Sequence, residues 1–216
     1  DAEIPVEKAV IPKAGSYRSS TKSIGDPADI ERLADILVAS ERPAVLFGQQ
    51  VWASGSHTSA IEFIRSLDIP AYMNGASRGM LPETDPHHFD RTRSDAFKEA
   101  DVILIVGTPF DFRMGYGRRI SNAATLVQID QSYATVGKNR DISLGLAGDP
   151  GAILKAVEQA ASGRIDKGAQ KQRQAWMARL REIEKAKLEK LLPMFQSAQN
   201  PIHPYRLAYE VNEFLN

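Results

Sequence analysis

Arginines and carboxylates placed just after apolar runs carry most of the side-chain chemistry this chain can offer. Asp111, Arg113, Arg118 and Arg119 follow the run Val102 to Val106 and Gly107. A guanidinium presents its donors as a planar fork that matches a phosphate bidentately, so arginines here suit a pyrophosphate ligand, although the same side chains also populate ordinary surfaces. Asp130 ends a second apolar run, where its carboxylate could bind a ribose or cap a turn. Asp149 precedes Pro150 and fits a helix N-cap beside any ligand role. His87 and His88 are adjacent but have no third ligand at metal-binding spacing. No nucleophile, base and orienting group fall into one arrangement. The residues therefore describe a binding site and not a reaction centre.

The elements that must position these groups follow from periodicity. Five consecutive apolar residues, mostly β-branched, suit a strand covered on both faces of a parallel sheet. Shorter runs at Ala44–Phe47, Ile69–Met73, Leu126–Ile129 and Ile142–Leu146 read as further strands, and a sixth is sought around Met80 to Phe89. Asp26-Pro27 and Asp149-Pro150 read as helix starts, and Ser56 to Leu67 carries apolar residues at helical spacing. Strands alternating with helices predict a doubly wound parallel α/β sheet of the Rossmann-like, nucleotide-binding type, flanked by helices and followed by a C-terminal helical extension. In such a sheet the turns Gly48-Gln49-Gln50, Asn74-Gly75-Ala76, Gly107-Thr108-Pro109 and Gly148-Asp149 converge on one edge, where backbone N–H groups can meet a phosphate. Glycine also ends strands for purely structural reasons, and no Gly-x-Gly-x-x-Gly fingerprint occurs.

Residues 1–25 read as a lead-in, 26–162 as the central α/β domain and 163–216 as a helical extension opening toward something longer. From Arg164 to Lys190 there are nine Lys or Arg against four Asp or Glu, with Trp176, Leu180, Ile183 and Leu191 as a narrow apolar stripe. The expectation is a long helix docked by its stripe, with its basic face in solvent. Lys and Arg total 27 and Asp and Glu 27, so no net charge draws the chain to nucleic acid or an anionic membrane. There is no cysteine, which excludes thiolate nucleophiles, disulfides and cysteine-based metal sites. Without an apolar span or a signal pattern, the default expectation is a cytoplasmic protein.

Taken in order, Leu46-Phe47-Gly48, the block Gly79 to Pro86, ADVILIVGTPFDFR from Ala100 to Arg113, Leu126 to Asp130 with Gly137-Lys138-Asn139, and Gly148-Asp149-Pro150 resemble the central domain of thiamine-diphosphate-dependent enzymes. The resemblance covers about Asp26 to Ala161. Within that family it is similar to acetolactate synthases, and also to 2-hydroxyacyl-CoA lyases and oxalyl-CoA decarboxylase. Glu3-Ile4-Pro5 is similar to the end of the family's N-terminal domain, and Asn200 to Leu215 to the start of its C-terminal domain.

The resemblance implies that thiamine diphosphate and Mg are held by N- and C-terminal catalytic domains absent from this sequence. It also implies that the whole enzyme is a homo-oligomer and that this piece is inactive alone. Carried over by motif, nucleotide contacts fall on Gly48, Gln49, Asn74, Gly75, Ala76, Gly107, Asp111, Arg113, Asp130, Gly148 and Asp149, with no catalytic or metal-binding residue. The family's nucleotide here is FAD, or ADP and CoA in the CoA-using relatives. Two departures bear on which. Pro109 stands where nucleotide-binding members carry arginine, and the segment Phe89 to Ser94 is short and arginine-bearing where flavin binders have a Gly-rich loop. Both weaken the FAD assignment, and the short segment points to ADP or a CoA-like nucleotide instead. The alternative outside this family is a free-standing nucleotide-binding module.

Overall fold

In the computed structural model, which describes residues 5, 8–16 and 21–215, the apolar runs become five parallel strands. They are β1 (Pro43–Phe47), β2 (Ala71–Met73), β3 (Val102–Val106), β4 (Thr125–Asp130) and β5 (Leu144–Ala147), in the order β2-β1-β3-β4-β5. The helices are α1 (Pro27–Ala39), α2 (Gln49–Ala53), α3 (His57–Leu67), α4 (Arg93–Glu99), α5 (Pro150–Ala161), α6 (Lys167–Glu189), α7 (Leu192–Phe195) and α8 (Pro204–Leu215). This is the doubly wound arrangement predicted. β1 and β3 are buried at every position because helices cover both faces.

Alternation along the strands divides the interior in two. Val45, Phe47, Leu104 and Val106 join Leu33, Phe63, Ile64 and Leu154 of α1, α3 and α5. Ala44, Leu46, Ile103 and Ile105 join Phe97 of α4 and Trp176 and Leu180 of α6 on the opposite face. The two Asp-Pro starts behave as read: Asp26 accepts from Ala28 N at 2.8 Å and Asp149 from Ala152 N at 2.9 Å, with proline where no N–H is needed.

Two expectations change, and two short helices are added. The Met80–Phe89 region forms no sixth strand; His88 makes only an isolated bridge to Ala71, in a stretch where Pro82 and Pro86 lack ladder donors. Two short helices, α2 and α4, carry too few turns for apolar periodicity to reveal them. The basic face of α6 is not simply solvated. Arg173 is fully buried, Arg179 pairs with Glu99 at 2.9 Å, Arg181 donates to His88 O and Pro86 O, and Lys187 pairs with Asp95. The Arg181 guanidinium also lies 4.0 Å from the centre of the Phe89 ring.

α6 is bonded to the domain at two places. Arg173 donates to the carbonyls of Leu37 and Ser40 at the end of α1 and of Leu67 at the end of α3. These carbonyls lie where a helix runs out of internal donors, and a cation there also meets the negative ends of two helix dipoles. The Glu184 carboxylate accepts from the backbone N–H groups of Asp90, Arg91 and Thr92, at 3.2, 2.8 and 3.1 Å, and from the Thr92 hydroxyl at 2.8 Å. The segment leading into α4 is thus held by the helix that crosses it. Beyond α6, Phe195 of α7 stacks on Tyr209 of α8 with ring centres 5.7 Å apart. Glu3 and Ile4, at the domain-end motif, lie outside the described residues.

Candidate functional site

The order β2-β1-β3 places a topological switch between β1 and β3, and ligands of open α/β sheets sit outside the carboxyl ends of the strands at such points. The structure brings the turns at Gly48, Gly75, Gly107, Asp130 and Gly148 to this edge, since each follows a strand of one parallel sheet.

The switch point itself is filled by the chain. Gly48 N donates to Val106 O at 2.7 Å, Gly107 N to Ile129 O at 2.8 Å and Gln50 N to Gly107 O at 3.2 Å. A Cβ on Gly48 would stand 2.4 Å from Gly107 O and 2.4 Å from Thr108 Cβ, and one on Gly107 2.7 Å from Gln50 Cβ. These two glycines therefore let one turn pack against the next; their N–H groups are not free for a phosphate. Gly148 is similar: its N–H goes to Asp130 O at 2.9 Å, and Asp149 N donates to Ser23 O at 2.8 Å as the lead-in passes over. Lys22 Nζ lies 3.1 Å from Asp149 Oδ1, which adds an ion pair to its capping role. Gln49, Gly75 and Ala76 are exposed at the edge, and Asn74 Oδ1 accepts from Gly75 N at 2.9 Å.

Asp130 is fully buried. Its Oδ1 accepts from Gln50 Nε2 at 3.1 Å and Ser132 N at 2.8 Å, while Oδ2 is buried with no partner. A buried carboxylate oxygen without a donor is costly. Gln50, which also accepts from Gln131 N at 3.0 Å, orients this group; the sequence reading placed it in the turn but took its neighbour Gln49 as the contact. The only signal for Gln50 was its place in the first turn after Gly48.

Arg113 does not point a free guanidinium at the edge. Asp111 Oδ2 accepts from its Nε at 3.0 Å and lies 2.9 Å from its second terminal nitrogen, while Asp111 Oδ1 caps the following 3-10 turn. Arg118 lies over Tyr116 at 5.6 Å. Other arginines do gather: Arg78, Arg91, Arg93, Arg113 and Arg119 line a cavity of about 380 Å³ floored by Tyr72, on the face covered by α4 and α6. Burial pushes the Tyr72 phenol above its ordinary pKa, and its hydroxyl bonds Thr92 Oγ1 at 3.0 Å.

His87 is buried between two carboxylates, with Nε2 3.2 Å from Asp68 and Nδ1 3.3 Å from Asp85. Asp85 also meets Arg65 at 2.6 Å. Among the described residues no three His, Asp or Glu side chains gather where they could hold a metal ion. The residues present do not fit a magnesium diphosphate. No helix among them is long and apolar enough to cross a membrane.

Comparison with known proteins follows the same lines. Residues 30–157 match the family described as thiamine pyrophosphate enzyme, central domain. The chain is 33% identical over 193 residues to the acetolactate synthase large subunit IlvG of Mycobacterium tuberculosis, covering 86% of this chain and 32% of that protein. It is 29% identical over 197 residues to 2-hydroxyacyl-CoA lyase 2 of Homo sapiens, covering 85% and 30%. The chain thus spans about a third of the length of these relatives. Benzoylformate decarboxylase from Polynucleobacter necessarius shares the fold, with a TM-score of 0.57 and 20% identity over 71% of this chain and 31% of that one. A parallel sheet in this order and a family match through most of it agree: the chain belongs to the central-domain family of thiamine pyrophosphate enzymes.

Proposed function

We propose that this chain is the central, nucleotide-holding domain of an acetolactate synthase-like enzyme that forms or cleaves carbon–carbon bonds of 2-keto acids. Thiamine diphosphate, held with magnesium by N- and C-terminal domains outside these residues, would supply the carbanion stabilisation. The central domain holds no reaction centre and is inactive alone. Its own role is to join the catalytic domains within a homo-oligomer and to bind an adenine nucleotide at the carboxyl edge. The observation that carries the nucleotide reading is the buried Asp130 at the end of β4, oriented by Gln50 and Ser132, with its second oxygen left without a hydrogen-bond partner.

A second reading, the central domain of a 2-hydroxyacyl-CoA lyase-like enzyme, draws on the segment before α4. It is short, and Glu184 fastens three successive amides of it, so it lacks the slack of a loop that opens around a flavin. The same feature favours ADP or CoA over FAD in either reading. Calorimetric titration of the chain with ADP, CoA and FAD tests this. ADP and CoA should bind more tightly than FAD, and Asp130→Asn should weaken ADP about tenfold, the effect of one lost hydrogen bond to a charged group. Tighter FAD binding, or turnover of pyruvate or a 2-hydroxyacyl-CoA by the chain alone, would contradict the reading.

A further inference from the structure

We propose that His87 is a pH-sensitive latch that fastens the strap Asp85 to Phe89 over the outer edge of the sheet. β2 is the end strand in the order β2-β1-β3-β4-β5, and an end strand leaves a row of backbone groups without partners. The strap covers part of that row: Ala71 N donates to His87 O at 2.8 Å and Phe89 N to Ala71 O at 3.0 Å, the isolated bridge found in place of a sixth strand. Two backbone bonds contribute little net stability in water, so side chains from the helices on both faces of the sheet complete the attachment. From α6, Arg181 donates to Pro86 O at 2.8 Å and to His88 O at 3.1 Å. From α3, Arg65 meets Asp85 at 2.6 Å, and Asp68, which closes the helix, meets His87.

Among these fastenings, His87 is the one that depends on a proton exchanged near neutral pH. Its ring is buried, with Nε2 3.2 Å from Asp68 Oδ1 and Nδ1 3.3 Å from Asp85 Oδ1. An ionised carboxylate only accepts, and a neutral imidazole carries one N–H, so both contacts hold together only while the ring is doubly protonated. Loss of either proton sets a ring lone pair against a carboxylate in a buried place, where solvent and salt screen the repulsion poorly. Asp85 keeps other partners, Arg65 and the backbone N–H of His87 at 2.9 Å. Burial opposes its ionisation, but the bonds from Arg65 and His87 outweigh it and hold the carboxyl below its ordinary value, so Asp85 stays charged while the ring titrates. The Asp68 carboxylate has the ring as its one hydrogen-bond partner among the described residues, with Arg173 acting on it at longer range. Arg65, Arg173 and Arg181 keep their charge throughout. The closed strap thus binds the charged ring and the open one releases it, so closure is complete on the acid side and is lost as pH rises. Histidine is the side chain whose ordinary charge change falls between about pH 5 and 8, which sets the window.

Amide hydrogen exchange of the 216-residue chain, expressed as protection factors to remove the intrinsic effect of pH, reads local opening at Ala71 and Phe89, with Leu104 of β3 as the reference. From about pH 5.5 to about pH 8, protection at Ala71 and Phe89 should fall about tenfold relative to Leu104, the loss of one charge-assisted hydrogen bond. His87→Gln, which does not titrate, should abolish that fall, whereas His57→Gln on the exposed start of α3 should leave it intact. Nitrogen NMR of the His87 ring in the parent chain gives a reading that needs no variant to fold: both ring nitrogens should carry protons at the acid end, and the loss of one should coincide with the loss of protection. Protection that does not change with pH, a fall that persists in His87→Gln, or a ring already carrying a single proton at the acid end overturns the proposal.

Discussion

Replacing Arg173 should unfasten α6 from the domain at a cost readable from its contacts. The side chain is fully buried and donates to three carbonyls, those of Leu37, Ser40 and Leu67, and to the Ser40 hydroxyl at 3.1 Å. Burial pulls the guanidinium below its ordinary pKa, with Asp101 and Asp68 opposing at longer range. Its charge is met chiefly by the carboxyl ends of α1 and α3. Arg173→Ala removes these bonds, leaves the carbonyls of Ser40 and Leu67 without donors at roughly 1–3 kcal/mol each before relaxation, while Leu37 O keeps its bonds from Ser40 N and Oγ, and opens a cavity. Water entering from the α6 side recovers part of this, so the net loss should be about 4 kcal/mol, in the range for breaking a buried charge cluster. For a domain of this size that lowers the unfolding midpoint by about 10 °C. Arg173→Met keeps most of the volume and removes the buried charge, so it should cost less than alanine yet still more than about 1.5 kcal/mol. Urea unfolding followed by near-ultraviolet circular dichroism, where Trp176 reports on α6, measures both. If Arg173→Met is as stable as the parent, the arginine is merely tolerated and the reasoning fails.

Gly48→Ala should destabilise the fold by roughly 3 kcal/mol through overpacking against backbone, whereas alanine at Gly79, with nothing within 4 Å, should cost only its backbone strain; equal thermal shifts would refute the turn-on-turn account. Glu184→Gln should loosen the segment before α4 by about 2 kcal/mol, seen as faster hydrogen exchange at the amides of Asp90, Arg91 and Thr92 with the β3 amides unchanged. Burial opposes ionisation of Asp85, but hydrogen bonds from Arg65 and His87 outweigh it and hold its carboxyl below the ordinary value. A lowered folded-state pKa means a contribution fully present above the unfolded value of about 3.9 and lost as pH falls through the folded one. The urea midpoint should therefore drop below about pH 4, and less steeply in Asp85→Asn; parallel slopes would contradict this.

The parts of this protein legible in its sequence are those set by local periodicity and local bonding. A run such as Val102–Val106 can bury every side chain only between two covered faces, so it declared both a parallel sheet and a doubly wound fold. Asp26-Pro27 and Asp149-Pro150 specified helix starts because cap and first turn lie within four residues of one another. The ordered blocks from Leu46 to Pro150 pointed to the family, which the match over residues 30–157 shows. What tertiary structure decided is where side chains far apart in sequence meet. Gly48 and Gly107 resemble phosphate-binding turns when read singly, and only the β1–β3 pairing reveals that each is the other's neighbour. Arg113 reads as a ligand arginine until the backbone turn returns it to Asp111, two residues back. Arg173 and Glu184 read as part of a solvated charged face, because amphipathic periodicity counts side chains as apolar or polar and cannot see backbone donors and acceptors left open at the ends of α1, α3 and the segment before α4. Those open groups exist only once the helices have stopped where they do, and their position in space is fixed by the sheet between them.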